Sequence, residues 1–258
     1  MASSRSSETR FRDHFSRDSS AYARFRPRYP AALFDWLAGL APARRVAWDC
    51  ATGNGQAATM LAAHFARVVA SDASRDQVRA AERAPRIHYA VALGEASPLA
   101  GARVDLVTVA QALHWLDPRR LYAEVDRVLV PGGVFAVWCY GLLGVTPAID
   151  AAIAHFYEDV VGPYWPPERR EVETGYRNFE IPIDEAPAPR FAIEAELTLS
   201  DLVGYVRTWS AVGRYLAEKD HDPVDPLADE LAPLWGDPRA VRPIIWPLSV
   251  RAGRWRPR

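Results

Sequence analysis

A chain of 258 residues is long enough for one large domain, or for a domain with a modest cap. With 49% hydrophobic and 24% charged residues it has the make-up of an ordinary globular protein. A formal net charge of -1 and the lack of a basic tract argue against bulk nucleic acid or an anionic membrane as partner.

No apolar run reaches the roughly 18 residues that span a bilayer. The opening MASSRSSETR lacks the apolar stretch of a signal peptide, so the expected location is the cytoplasm. Cys50 and Cys139 lie inside apolar runs and read as small core hydrophobes, not as a disulfide or metal pair. His64, His88, His155 and His221 are scattered without metal-ligand spacing, so no metal is expected. Asp220, Asp222 and Asp225 read as a solvated turn.

In chain order, residues 1–12 are Ser- and Arg-rich and are expected to be disordered. Aromatics interleaved with arginines follow, including Tyr22, Phe25, Arg26 and Tyr29. Pro30 suits the first position of a helix running to about Leu40. A β-α-β-α alternation comes next. Strands are expected over 45–51, 67–71, 87–92, 104–110 and 134–139, with helices over 56–65, 74–83 and 122–129. Pro131-Gly132-Gly133 reads as a turn. Repeated strand–helix units imply a parallel sheet with right-handed crossovers, covered by helices on both faces.

Beyond Tyr140 the pattern loosens. Helices are expected over 147–161, 201–209 and 227–235, with strands over 191–199 and 241–246. The predicted fold is a doubly wound, mostly parallel seven-stranded sheet with helical cap elements after residue 140. The division expected is a lid over 13–30, a core over 30–140, and a cap with the last strands over 141–258, all one domain.

The chemistry concentrates after the first strand, in Asp49-Cys50-Ala51-Thr52-Gly53-Asn54-Gly55-Gln56. An apolar strand running into a glycine-bearing turn that opens a helix brings backbone close to a ligand at the carboxyl end of the sheet. Asp72 ends the next strand about 20 residues on, where an acid accepts hydrogen bonds from ribose hydroxyls. The plainer reading of Asp72 is a cap for the following helix, and the two roles are compatible. A dinucleotide site would carry a third glycine shortly after Gly55, where this chain has Ala57, Ala58 and Thr59. Asp49 also opposes a diphosphate and suits a cationic amino group. The sign of that charge favours S-adenosylmethionine over a dinucleotide.

At this point the sequence resembles the class I S-adenosylmethionine-dependent methyltransferases, over about residues 20–140. The turn is similar to the family motif D-x-G-x-G-x-G, with Ala51 in place of the first glycine. Asp72 matches the family's ribose-binding acid, and Gly94-Glu95-Ala96-Ser97-Pro98 is similar to the segment beside the adenine edge. Asp105–Ala110 with Gln111-Ala112-Leu113-His114-Trp115 looks like the fourth-strand motif, and Leu129-Val130-Pro131-Gly132-Gly133 like the turn before the fifth strand. More narrowly, Tyr22–Pro30 and Gln111–Trp115 resemble the trans-aconitate-type small-molecule methyltransferases.

The resemblance implies a cofactor site of Tyr22, Arg26, Asp49, Ala51, Thr52, Gly53, Gln56, Asp72, Gly94, Glu95, Ala110 and Gln111. Tyr22 and Arg26 would fold over the methionine end of the cofactor. It implies methyl transfer to a small molecule, with a carboxylic acid favoured and a methyl ester as product. His114 is either a general base for a hydroxyl or amine acceptor or a packed histidine that donates one hydrogen bond. His114, Trp115, Tyr205, Trp209 and Arg214 are the expected substrate-pocket residues, with an arginine placed to clamp a carboxylate. Three alternatives stay open: a non-methylating biosynthetic step, a nicotinamide-dependent oxidoreductase, and a non-catalytic binding module.

Overall fold

The computed structural model describes residues 28–257. The expected disordered start, most of the lid, and Tyr22 and Arg26 lie outside the described residues. The first part of the chain runs α1 (Ala31–Leu40), β1 (Val46–Cys50), α2 (Gln56–Leu61), β2 (Arg67–Asp72), α3 (Arg75–Ala80) and β3 (Ile87–Val91). Then come β4 (Val104–Ala110), a single 3-10 turn (Leu113–Trp115), α4 (Pro118–Val128) and β5 (Leu129–Tyr140). The remainder comprises α5 (Pro147–His155), α6 (Arg169–Glu173), β6 (Ile183–Glu185) and β7 (Phe191–Leu197). It closes with α7 (Leu199–Arg207), α8 (Ser210–Glu218), α9 (Val224–Trp235) and β8 (Arg242–Trp255).

The strands form one sheet in the order β3-β2-β1-β4-β5-β8-β6, with β7 also paired to β8. All pairings among β1 to β5 are parallel, and β8 runs antiparallel to β5, β6 and β7. The sheet is therefore doubly wound and mostly parallel, as expected, but it has eight strands instead of seven. The eighth arises because β8 is 14 residues long and holds two short strands at its two ends. Ile183–Glu185 pairs near Trp255 and Phe191–Leu197 near Arg242. The expected last strand over 241–246 captures only its beginning.

Period-two alternation assigns the two faces of the sheet. On β5, Val134, Ala136 and Trp138 pack with Leu33, Phe34 and Leu37 of α1. Phe135, Val137 and Cys139 face the other way, toward Leu121, Val125 and Val128 of α4. Both faces are covered, which is why these strands read as continuous apolar runs. A third cluster holds the late helices together around Trp209, Trp235 and Trp246.

The glycine turn before the fifth strand lies inside the span of β5, as a bulge. Leu129 pairs with Val104 and Val134 with Leu106, so four residues loop out with Gly132 at φ 76°. The helix expected over 147–161 ends at His155 and continues as a π turn through Val160.

Strand order changes direction between β1 and β4, because β1 is followed outward by β2 and β4 by β5. A sheet of this kind opens a crevice there, outside the carboxyl ends of the two strands. The residues that follow β1 and β4 in sequence are Ala51 and Gln111, both at φ 54°. A left-handed backbone costs a non-glycine residue roughly 1–2 kcal/mol. Such strain gathers where surrounding structure and function demand it.

Candidate active site at the sheet's carboxyl edge

The turn after β1 is fastened from beneath. Asp49 is 0% exposed, and its carboxylate accepts from the hydroxyls of Thr52 and Thr108. Burial pushes its pKa up to about 6, while those two hydroxyls pull it down and the charge of Asp72 adds to the rise. Thr52 N–H donates to the Ser71 carbonyl at 2.9 Å, tying the turn to β2. Asp49 and Thr52 thus set the shape of the loop from below.

Asp72 works from the side. One of its oxygens accepts from Gly53 N–H and the other from Ser74 N–H, both at 2.8 Å. The turn and the start of α3 therefore hang on the same carboxylate.

Glycine is required at Gly55, which sits at φ 87° directly under the Tyr89 ring. A Cβ there would lie 2.2 Å from the Tyr89 hydroxyl. At Gly53 the space is open, with Gln77 Oε1 at 4.0 Å as the nearest atom to an added Cβ. Gln56 opens α2 immediately after the turn. Gly94 packs so closely beneath β1 that a Cβ would come within 2.7 Å of Cys50 Sγ. Glu95 accepts from Asp117 N–H at 3.0 Å.

Past β4, Ala110 ends the strand and Gln111 turns the chain. The Gln111 side-chain amide is taken up by the backbone of Tyr140 at the end of β5. A cleft opens beyond it. Its walls come from the turn after β4 (Gln111, His114, Trp115), from the end of β5 (Tyr140), and from late elements (Trp165, Arg169, Tyr205, Trp209). Four of the five expected substrate-pocket residues meet here. The fifth, Arg214, does not line the cleft; one of its terminal nitrogens reaches the Tyr164 carbonyl at 3.4 Å.

Among the described residues that line the cleft the one cation is Arg169, in the charged run Glu168-Arg169-Arg170-Glu171, which the sequence analysis did not single out. Its Nε donates to the Tyr157 hydroxyl at 2.9 Å, and its guanidinium lies 4.8 Å from the centre of the Trp165 ring.

His114 is 9% exposed, with Nδ1 2.8 Å from the Tyr176 hydroxyl oxygen. Burial, helped by the charge of Arg169, lowers its pKa to about 3, so the ring is neutral at physiological pH. Backbone N–H groups of Leu113 and His114 act on the Tyr176 oxygen.

Three comparisons bear on this geometry. A model described as a methyltransferase domain matches residues 48–137. A Dictyostelium discoideum protein that carries a methyltransferase name is 30% identical over 227 residues, 86% of each chain. This chain belongs to the S-adenosylmethionine-dependent methyltransferases. A solved structure from Anaeromyxobacter dehalogenans, named a type II methyltransferase, superposes with a TM-score of 0.85. It is 45% identical and covers 90% of this chain and 99% of its own. A Mycobacterium tuberculosis methyltransferase is 43% identical over 114 residues, 44% of this chain and 46% of its own.

The methyltransferase fold and its cofactor agree with the residues present. Among the described residues, the turn after β1 holds two acids and no base within reach of it by hydrogen bond. Two acids oppose a diphosphate and accept a nucleoside that carries positive charge. The open space at Gly53 suits a ribose lying against the backbone.

Proposed function

We propose that this methyltransferase esterifies a small carboxylic acid, in the manner of the trans-aconitate-type enzymes that its sequence resembles. The observation that carries this reading is the lack of a base among the described residues that line the cleft. Among its described lining residues there is no Asp or Glu, and His114, with a pKa near 3, is a poor proton acceptor at neutral pH. An alcohol or amine acceptor would need its proton removed; a carboxylate arrives already ionised.

In this reading Gly53, Thr52, Ala51 and Gln56 form the backbone floor of the cofactor site, and Asp72 accepts from its ribose. Gly94 and Glu95 flank the adenine, and Ala110 and Gln111 border the reacting end. Asp49 serves by holding the turn in shape, and Tyr22 and Arg26 by covering the cofactor from the lid. Bound S-adenosylmethionine supplies a methyl on a cationic sulfur that leaves as a neutral thioether, so transfer to a carboxylate oxygen moves no proton. The chain's part is alignment and exclusion of water. Trp115, Trp165, Tyr205 and Trp209 wall the acceptor, and the neutral His114 ring lies beside it.

Incubation with methyl-labelled cofactor and panels of acids, phenols and amines tests the reading. Base-labile label on acids, and none on phenols or amines, is the expected outcome. Label transferred to phenols or amines in preference to acids would overturn it.

A further inference from the structure

We infer that Glu124 of α4 is a positioning residue for S-adenosylmethionine, fixing through Ser97 the segment Gly94–Pro98 that meets the adenine. The inference rests on the proposed placement of Gly94 and Glu95 beside the base. The segment follows β3 and lies in no helix or strand, so its shape depends on partners elsewhere. Just before it, Ala92 N–H donates to the Asp72 carbonyl at 3.0 Å. Gly94 is wedged so tightly that a Cβ would meet Cys50 Sγ at 2.7 Å and Leu116 Cδ2 at 3.2 Å. Glu95 accepts from the N–H of Asp117, the residue that caps α4. Farther along, the backbone N–H and the hydroxyl of Ser97 both donate to one oxygen of Glu124, the N–H at 2.8 Å.

The Glu124 side chain is only 9% exposed. Its charge is met by Arg127 in the same helix, whose Nε and Nη2 donate at 2.8 Å and 2.6 Å. That pair joins α4 to nothing but itself; the bonds to Ser97 are what reach another element. A buried ion pair adds little stability over apolar side chains of similar size, and its attested use is to specify one arrangement. Leu121, Val125 and Val128 already pack α4 onto the sheet. A carboxylate at position 124 adds a pin for the segment after β3.

The consequence lies in how a base is told from its near relatives. The edge of a purine is read by hydrogen bonds, which weaken steeply once distance and angle drift. A segment free to shift would still touch any purine by its faces. It would no longer distinguish an amino group from an oxo group on the edge. Pinning Ser97 to Glu124 and Glu95 to Asp117 holds the segment at two points of one rigid helix.

Calorimetry of the full chain with S-adenosylhomocysteine and with S-inosylhomocysteine, whose base carries oxo in place of amino, tests this. Wild type is expected to bind the adenine compound at least about tenfold more tightly. Glu124→Met should lose about tenfold in affinity for S-adenosylhomocysteine, and most of that preference. Glu124→Gln keeps an acceptor for Ser97 and should stay within about threefold of wild type. Arg127→Met separates stability from position: its melting temperature should fall, while its affinity stays within about threefold of wild type. Equal binding of the two compounds by wild type, full affinity in Glu124→Met, or an equal loss in Arg127→Met would overturn the inference. Where Glu124→Met does not fold, Ser97→Ala decides. Several-fold weaker binding at an unchanged melting temperature supports the pin, and wild-type affinity overturns it. Failure of the adenine placement reads separately, as exchange of the Gly94–Ser97 amides that does not slow when S-adenosylhomocysteine binds.

Discussion

The side-chain amide of Gln111 stands in for a peptide unit beside Tyr140. Its Nε2 donates to the Tyr140 carbonyl at 3.1 Å, and its Oε1 accepts from the Tyr140 N–H at 2.8 Å. Gln111 N–H also donates to the Trp138 carbonyl at 2.8 Å, so one residue extends the β4–β5 ladder past the end of β4. Gln111→Leu removes both side-chain bonds and is expected to cost about 2 kcal/mol. Gln111→Glu keeps the acceptor but sets a carboxylate oxygen against the Tyr140 carbonyl, and should be worse. Denaturant unfolding of the three chains checks the order.

Ala51 occupies the family's glycine position at φ 54°. Ala51→Gly relieves the left-handed strain and gives back some chain entropy in the unfolded state. The net expectation is a gain of about 0.5–1 kcal/mol in stability, with cofactor affinity within twofold of wild type. A loss of stability would mean that the turn is not strained at this position.

Asp72 holds the turn and, in the proposed site, the ribose. Asp72→Ala should weaken S-adenosylmethionine binding at least about tenfold, equivalent to about 1.4 kcal/mol. Asp72→Asn keeps one acceptor oxygen and should fall between. Unchanged affinity in a folded Asp72→Ala chain removes the ribose assignment.

Burial raises the Asp49 pKa from an ordinary 3.8 to about 6 in the folded chain. The folded state therefore holds this proton more tightly than the unfolded one. The resulting stability is complete below about pH 4 and is lost as pH rises through about 6, for a total of about 3 kcal/mol. Asp49→Asn should remove that slope. Stability curves of wild type and variant from pH 4 to 7 should diverge in this sense; parallel curves would contradict it.

His114 titrates the opposite way, its pKa falling from 6.5 to about 3. Below pH 6.5 the unfolded chain takes a proton that the folded chain refuses, so His114 lends stability above that pH and loses it as pH falls toward 3. The ring stays neutral across the working range. The kcat/KM profile should therefore show no ionisation of His114 between pH 5 and 8, and its imidazole NMR signals should not shift there. A rate limb that moves on replacing His114 would restore it as a base.

Much of the fold was legible because helices follow β1, β2 and β4, and because β1, β4 and the second half of β5 are buried on both faces, leaving unbroken apolar runs such as Val104–Ala110. The far edge was not. Pro243, Pro247 and Gly253 break the apolar pattern of β8, and two of the three strands it pairs with, β6 and β7, have only three and seven residues. The turn after β1 could be read because its glycines and acids are local in sequence. The links between Gln111 and Tyr140 and between His114 and Tyr176 join residues 29 and 62 positions apart, and no local pattern announces them. Arg169 was hidden for a related reason: only the packing of Trp165 and Tyr157 against it distinguishes it from its charged neighbours.

The claim on which the rest depends is that the crevice between β1 and β4 takes a sulfonium nucleoside. Titrating the chain in a calorimeter with S-adenosylmethionine, and separately with NAD, asks this directly. Saturable one-site binding of S-adenosylmethionine with no measurable heat from NAD is the expected result. Binding of NAD at comparable affinity, or no binding of S-adenosylmethionine by the folded chain, would contradict it.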